Sequence, residues 1–286
     1  DKIKTMKKLL LILLCVPLIF SCGEEKAKTS KKEKKSDLLR KKLKGKVNRI
    51  KESSFFPEEG YGINDDKGIT AYYTDIFNED GNIIESSSLE YRQHPESKKF
   101  KYDKDGNLIE SRSYEDESLI MTTIYKIGKN ERSTSYNEDG DIIYTSKYDR
   151  HKKVTEVYNE KGDIISTSKY DSDENQTDWI LYNQGEAKSH YKYKYDNDGN
   201  EIEASFYGDG KIFSKESFKY DKNGNQISSR YYNSDGELVQ NKSFKYEYDI
   251  HNNWIIKTTF LDGDLTDARS NSYLENIIER EIEYYN

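Results

Sequence analysis

Two cysteines, three prolines, four histidines and two tryptophans among 286 residues close several routes at once. Two Cys cannot staple a disulfide scaffold or build a cysteine-ligated zinc site. Three Pro and 17 Gly exclude a collagen-like or Pro-rich chain. The histidines, His94, His151, His190 and His251, show no ligand spacing, so no metal centre is expected. Also missing are a Gly-x-Ser-x-Gly elbow, a Walker loop and a nucleophilic Cys, so no cofactor is implied and an enzyme is not expected. Long apolar runs are scarce too. What is plentiful is charge, at 35% of the chain, and aromatic rings, with 25 Tyr and 10 Phe. That ring content argues against a disordered chain, because burying rings offsets the entropy lost on ordering.

The main apolar run, Leu9 to Phe20, has 12 residues, whereas a membrane-spanning helix needs about 20. It follows Met6 and the basic pair Lys7-Lys8, the layout of a secretory signal. The residues Leu18-Ile19-Phe20-Ser21-Cys22-Gly23 resemble the lipobox of bacterial lipoproteins. The resemblance implies cleavage before Cys22 and acylation, palmitate-like, of its thiol and new amine. Cys15 leaves with the signal. Two or three acyl chains on one residue hold stably at a membrane, where a single chain binds only weakly. Residues 1–21 are therefore expected to be a signal peptide, and 22–42 a lipidated Cys with a Lys-rich tether. The expected location is the bacterial outer membrane, on its periplasmic face or at the cell surface. Glu24-Glu25 resembles the acidic cue that accompanies surface export in some Gram-negative groups.

Charge divides the mature chain. Residues 23–42 carry a net +5, which suits anionic lipid heads, and residues 43–286 carry a net −15. An acidic body repels phosphate backbones, so nucleic acid is not an expected partner. Ser36-Asp37 before Leu38-Leu39 has the chemistry of a helix cap for a turn or two.

From residue 43 onward one unit repeats. Tyr102-Asp103-Lys104-Asp105-Gly106-Asn107, Tyr136-Asn137-Glu138-Asp139-Gly140-Asp141 and Tyr158-Asn159-Glu160-Lys161-Gly162-Asp163 are three copies, and others begin at Phe77, Tyr195, Tyr220 and Tyr232. Marker aromatics, from Tyr91 to Tyr246, recur every 10 to 14 residues. Asp or Asn opens each turn by accepting backbone N–H bonds, and Gly closes it in the left-handed region. The six or seven residues that follow are rich in Ile, Ser, Thr and Tyr, a strand composition. The fold class is therefore all-β: tandem antiparallel β-hairpin repeats over 43–286, as a meander or spiral sheet, with no choice made between an open sheet, a spiral and a flattened tube. The first copy is expected near Leu43 to Val47 and the last strand over Arg280 to Tyr285. Counted from each Gly, position three is apolar (Ile84, Ile109, Ile202, Ile227) and position eight aromatic (Tyr114, Tyr148, Tyr207, Phe244). Strand alternation then sets the Ile and Tyr series on opposite faces.

The motif Tyr193-Lys194-Tyr195-Asp196-Asn197-Asp198-Gly199-Asn200, its variants Phe100 to Asn107 and Phe218 to Asn225, and Tyr246-Glu247-Tyr248-Asp249-Ile250-His251-Asn252-Asn253-Trp254 resemble the YD repeat of RHS-type proteins and of short lipoproteins built from it. The resemblance implies hairpin shells or spirals, and association with carbohydrate. The resemblance also implies toxin enclosure, which is not expected of this chain because no core-processing motif is recognisable in it.

Tyr193, Tyr195, Tyr220, Tyr246, Tyr248 and Trp254 are accordingly the candidate ligand contacts, with rings to stack on sugars and neighbouring Asp and Asn to bond hydroxyls. The competing role for any of these rings is to hold hairpins together. The expected function is a non-enzymatic, membrane-anchored lipoprotein presenting a glycan- or protein-binding surface. Two alternatives are an immunity or antitoxin-like protein that occludes a toxin, and a glycoside hydrolase, which would need a specific carboxylate pair.

Overall fold

A computed structural model describes residues 36–55, 69–90, 93–128, 131–262 and 273–286. The expected signal peptide, Cys22, most of the expected tether and the marker Tyr91 lie outside the described residues. Among the described residues, eighteen strands follow a short helix, α1 (Asp37–Arg40). They are β1 (Val47–Phe55), β2 (Ile69–Phe77), β3 (Ile83–Glu90), β4 (Glu96–Tyr102), β5 (Leu108–Glu115), β6 (Ser118–Lys126), β7 (Glu131–Tyr136), β8 (Ile142–Asp149) and β9 (Val154–Asn159). After them come β10 (Ile164–Tyr170), β11 (Gln176–Asn183), β12 (Glu186–Tyr195), β13 (Glu201–Gly208), β14 (Lys211–Tyr220), β15 (Gln226–Tyr232), β16 (Leu238–Tyr248), β17 (Trp254–Leu261) and β18 (Tyr273–Tyr284). Each strand pairs antiparallel with its neighbours in the chain, and β18 pairs with β1 from Val47↔Tyr284 to Phe55↔Ile277. The expected hairpin meander is thus a closed 18-stranded antiparallel barrel, not an open or spiral sheet.

The turns follow the chemistry expected of them. Asp103 Oδ1 accepts from the N–H groups of Asp105 (2.9 Å) and Asn107 (2.8 Å), while Asn107 Nδ2 donates to Asp103 Oδ2 (3.0 Å). The same bonds recur at Asp171/Asn175, Asp196/Asn200 and Asp221/Asn225. Gly106 supplies the positive φ of +73°, and Asn252 takes the equivalent place at +60°. In a meander, successive turns fall at alternate ends of the barrel. The turns ending in Asn82, Asn107, Asn175, Asn200, Asn225 and Asn253 all share one end, and those ending in Asp141, Asp163 and Glu237 share the other. We call these the Asn end and the acid end.

The expectation of one Tyr face opposite one Ile face is wrong. Tyr114, Tyr207 and Tyr232, which follow Asn-end turns, point outward. Tyr148, Tyr170, Phe218 and Phe244, which follow acid-end turns, point inward. Two features break the simple alternation. The register slips by one residue beside these turns, and the two kinds of turn start their strands in opposite phase.

The outer face is a lattice of Lys laid over aromatic rings. Lys51 over Tyr72, Lys99 over Tyr114, Lys147 over Tyr158, Lys192 over Tyr207, Lys215 over Tyr232 and Lys245 over Phe260 sit 4.3–5.8 Å from the ring centroids. Each such pair contributes about 0.5–1 kcal/mol at an exposed site. On the inner face β5–β10 carry buried hydroxyls, joined as Ser111–Tyr125 (3.0 Å), Thr123–Ser135 (2.9 Å) and Ser133–Ser146 (2.7 Å).

The chain from Ser36 to Lys46 lies across the mouth at the Asn end. Ser36 caps α1, accepting from Leu39 N–H, as its sequence suggests. Leu38 N–H donates to Gly81 O (3.0 Å), Asp37 accepts from Ile83 N–H (2.8 Å), and Lys41 pairs with the inward Asp75 (2.8 Å). Farther round, Lys42 Nζ donates to Asn200 and to Gly224 O, and Lys44 exchanges two 2.8 Å bonds with Asn253. These contacts reach four separate Asn-end turns, so the segment bridges the mouth. Leu38 and Leu43 pack on Val47, Ile50, Phe77 and Ile83, the main apolar cluster.

Phe77 is fully buried in that cluster, so Phe77→Ala is expected to lower unfolding free energy by about 3–5 kcal/mol. Ile250, 94% exposed at a turn tip, is the control, and Ile250→Ala should change stability by no more than about 0.5 kcal/mol. Urea denaturation measures both.

Candidate functional site

Inward aromatic residues gather on β11–β18. Trp179 stacks on Tyr191 (centroids 5.0 Å apart, planes at 22°), Tyr191 on Phe206 (4.8 Å, 22°), and Phe206 meets Phe213 edge-on at 5.6 Å. Direct cross-strand pairing fixes this row, because Trp179 faces Tyr191 and Tyr191 faces Phe206. The row ends openly, with Phe213 63% exposed. None of these four residues is among those the repeat motif singles out. Trp179 and Tyr191 flank the tight Gln184-Gly185 turn, so counting outward from that turn would have paired them, given the one-residue slip at Leu181/Tyr182.

All six sequence-selected residues also face inward, toward the Asn end of β12, β14, β16 and β17. Most are occupied by the fold. Tyr195 Oη donates to Gln176 O (2.8 Å), Tyr220 Oη to Glu201 O (2.7 Å) and Tyr246 Oη to Gln226 O (2.7 Å). Tyr102 makes the same latch to Ile83 O (2.7 Å). Tyr102, Tyr195 and Tyr220, each just before a turn Asp, are therefore rivets between hairpins, and Tyr246, two places before Tyr248, makes the same latch from a different position of the motif. Tyr248 Oη accepts from Asn225 Nδ2 (3.0 Å), and the Arg280 guanidinium covers Trp254 at 3.3 Å. Tyr246 lies 6.3 Å from Tyr248 and 6.0 Å from Trp254, so these three come together. Tyr193 is half-buried, and burial pushes its hydroxyl pKa up to about 12, helped by the charge of Glu201.

Charged groups sit among these rings. Burial, with the nearby charge of Glu216, raises Glu201 to about 7. Both are inward, Glu201 opposite Tyr195 and Glu216 opposite Ala204. Around β1–β5 the residues lining a cavity of about 360 Å³ include Lys41, Ile50, Glu52, Tyr73, Asp75, Ser86, Glu96 and Lys98. Among the described residues no group of His, Cys, Asp and Glu could hold a metal ion, and no helix is long and apolar enough to cross a membrane.

No family model matches the chain, and no curated protein matches it. Among solved structures it is similar to a porin-like protein from Bacteroides uniformis (TM-score 0.47, 10% identity, covering 83% of this chain and 98% of that one). A porin-like protein from Bacteroides vulgatus also matches (TM-score 0.27, 12% identity, 84% and 98%). A third match, TcdB2-TccC3, has a TM-score of 0.27 and 12% identity, and covers 78% of this chain but 13% of that one. Likeness at these levels says nothing about what this chain binds.

Glu201 gives the site a pH signature. Its folded-state pKa, about 7, exceeds the ordinary 4.5, so the folded chain holds that proton more tightly. The contribution is full below pH 4.5 and is lost as pH rises through 7. The urea midpoint is expected to fall between about pH 5 and about pH 8, and Glu201→Gln is expected to flatten that fall.

Proposed function

We propose that the chain is a lipid-anchored envelope protein that binds a glycan inside its barrel. The observation that carries this is the inward row Trp179–Tyr191–Phe206–Phe213, which leaves one ring open in a concave, hydroxyl- and carboxylate-bearing interior. Saccharides pair apolar ring faces with hydroxyl edges. A lumen offering aromatic rings beside Glu201, Glu216 and rows of Ser meets both needs.

The barrel itself stands outside the bilayer. Lys51, Lys99, Lys147, Lys192, Lys215 and Lys245 project outward from strands all round the wall. Each would cost about 2–4 kcal/mol at a bilayer midplane, and among the described residues no outward apolar belt offsets them. Attachment then falls to Cys22, and the outer membrane is the surface it joins.

The glycoside hydrolase alternative draws on Glu201 and Glu216, one carboxyl protonated near neutrality beside a second one. It requires new reducing ends from an oligosaccharide, lost in Glu201→Gln. The binding reading expects none from the parent chain.

Two outcomes test the proposal. Cys22→Ser should move the protein from the membrane to the detergent-free soluble fraction, whereas a strand-inserted barrel would stay with the membrane. On a glycan array, Tyr191→Ala and Phe213→Ala should lower binding by about tenfold or more, since each removes about 1.5–3 kcal/mol of ring contact. An array that retains nothing from the parent chain would refute glycan binding.

A further inference from the structure

The inner face of β16–β18 holds three cations and only two carboxylates to meet them. Lys242 pairs with Glu275 at 2.8 Å. Arg280 donates from Nε to Glu52 at 3.0 Å, and its Nη2 binds the same oxygen. Lys257 lies between these pairs, opposite Tyr246 on β16 and Ile278 on β18. Its Nζ rests 4.5 Å from the Phe244 ring centroid, and among the described residues no carboxylate comes within ion-pair distance. Burial, and the like charges of Arg280 and Lys242, push its pKa down, while Glu52 pulls the other way.

We propose that Lys257 receives the carboxylate of an acidic sugar, so that the glycan taken into the barrel is a uronate-type saccharide. This rests on the lumen-binding reading above and narrows it. An inward cation without a counter-ion is costly to hold away from water, and a ligand carboxylate relieves that cost. One unpaired cation matches a singly charged carboxylate better than a doubly charged phosphate. The surrounding rings of Phe244 and Tyr246 supply the apolar contact that a pyranose needs and an inorganic anion does not use.

The test is calorimetric titration of the mature chain carrying Cys22→Ser, with trigalacturonate and with neutral galactotriose as probes. Trigalacturonate should bind about tenfold more tightly at low salt, with the difference shrinking as salt rises. Lys257→Met should erase the difference and Lys257→Arg should keep it. Lys245→Met, on the outer face of the adjacent strand, should leave it unchanged. Equal binding of the two sugars by the parent chain, or a preference that survives Lys257→Met, would overturn the carboxylate site alone. Failure of both sugars to bind would take the lumen-binding reading down with it.

Discussion

A meander of short, polar hairpins has two outer strands with nothing beyond them, and this fold depends on those strands meeting. β1 uses one edge for β2 and the other for β18. Side chains reinforce the seam inside and out: Arg280 with Glu52 and Asn276 Nδ2 with Ser54 Oγ (3.2 Å) within, Arg49 with Glu283 (3.0 Å) outside. Closure removes the unpaired N–H and C=O rows that would otherwise recruit another chain. It also turns two equivalent sheet faces into an inside and an outside, which can then be loaded differently.

That asymmetry is visible in the aromatic residues. Outward rings lie under Lys ammonium groups and water. Inward rings stack on one another, latch backbone carbonyls or stand open. The two ends differ as well. Asn-end turns accept the bridging segment through Asn200, Gly224 and Asn253, whereas the acid-end turns terminate in carboxylates. At Asp196 the amide and N–H of Asn200 hold the carboxyl below its ordinary range, so the turn stays charged and locked at neutral pH.

Local chemistry was legible in the sequence, and long-range geometry was not. Asp103 to Asn107 specifies its turn through bonds spanning four residues, so the motif alone places it. The cap at Ser36 is local in the same way. The pairing of residues 47–55 with 277–284 leaves no trace in either segment, which is why an open sheet, a spiral and a tube looked alike. The two kinds of turn start their strands in opposite phase, which a count from each Gly does not show, so Tyr114, Tyr207 and Tyr232 face outward while Tyr148 and Tyr170 face inward. The repeat motif drew attention to Tyr195 and Tyr220 because it recurs, and the ring before the turn Asp recurs because it rivets two hairpins. The open row at Trp179, Tyr191, Phe206 and Phe213 follows from register between strands, and no motif marks it.

Oxidative cross-linking across the seam tests closure most directly. In a Cys22→Ser background, Lys51→Cys with Glu281→Cys joins facing positions on β1 and β18, while Lys51→Cys with Thr74→Cys joins facing positions on β1 and β2. Facing positions in an antiparallel pair fall within the Cα separation a disulfide needs, about 4.4–6.8 Å. A closed barrel forms both bridges within one chain. Formation of the second bridge without the first would mean that the first and last strands stand apart, and the barrel, its interior and the site within it would have to be given up.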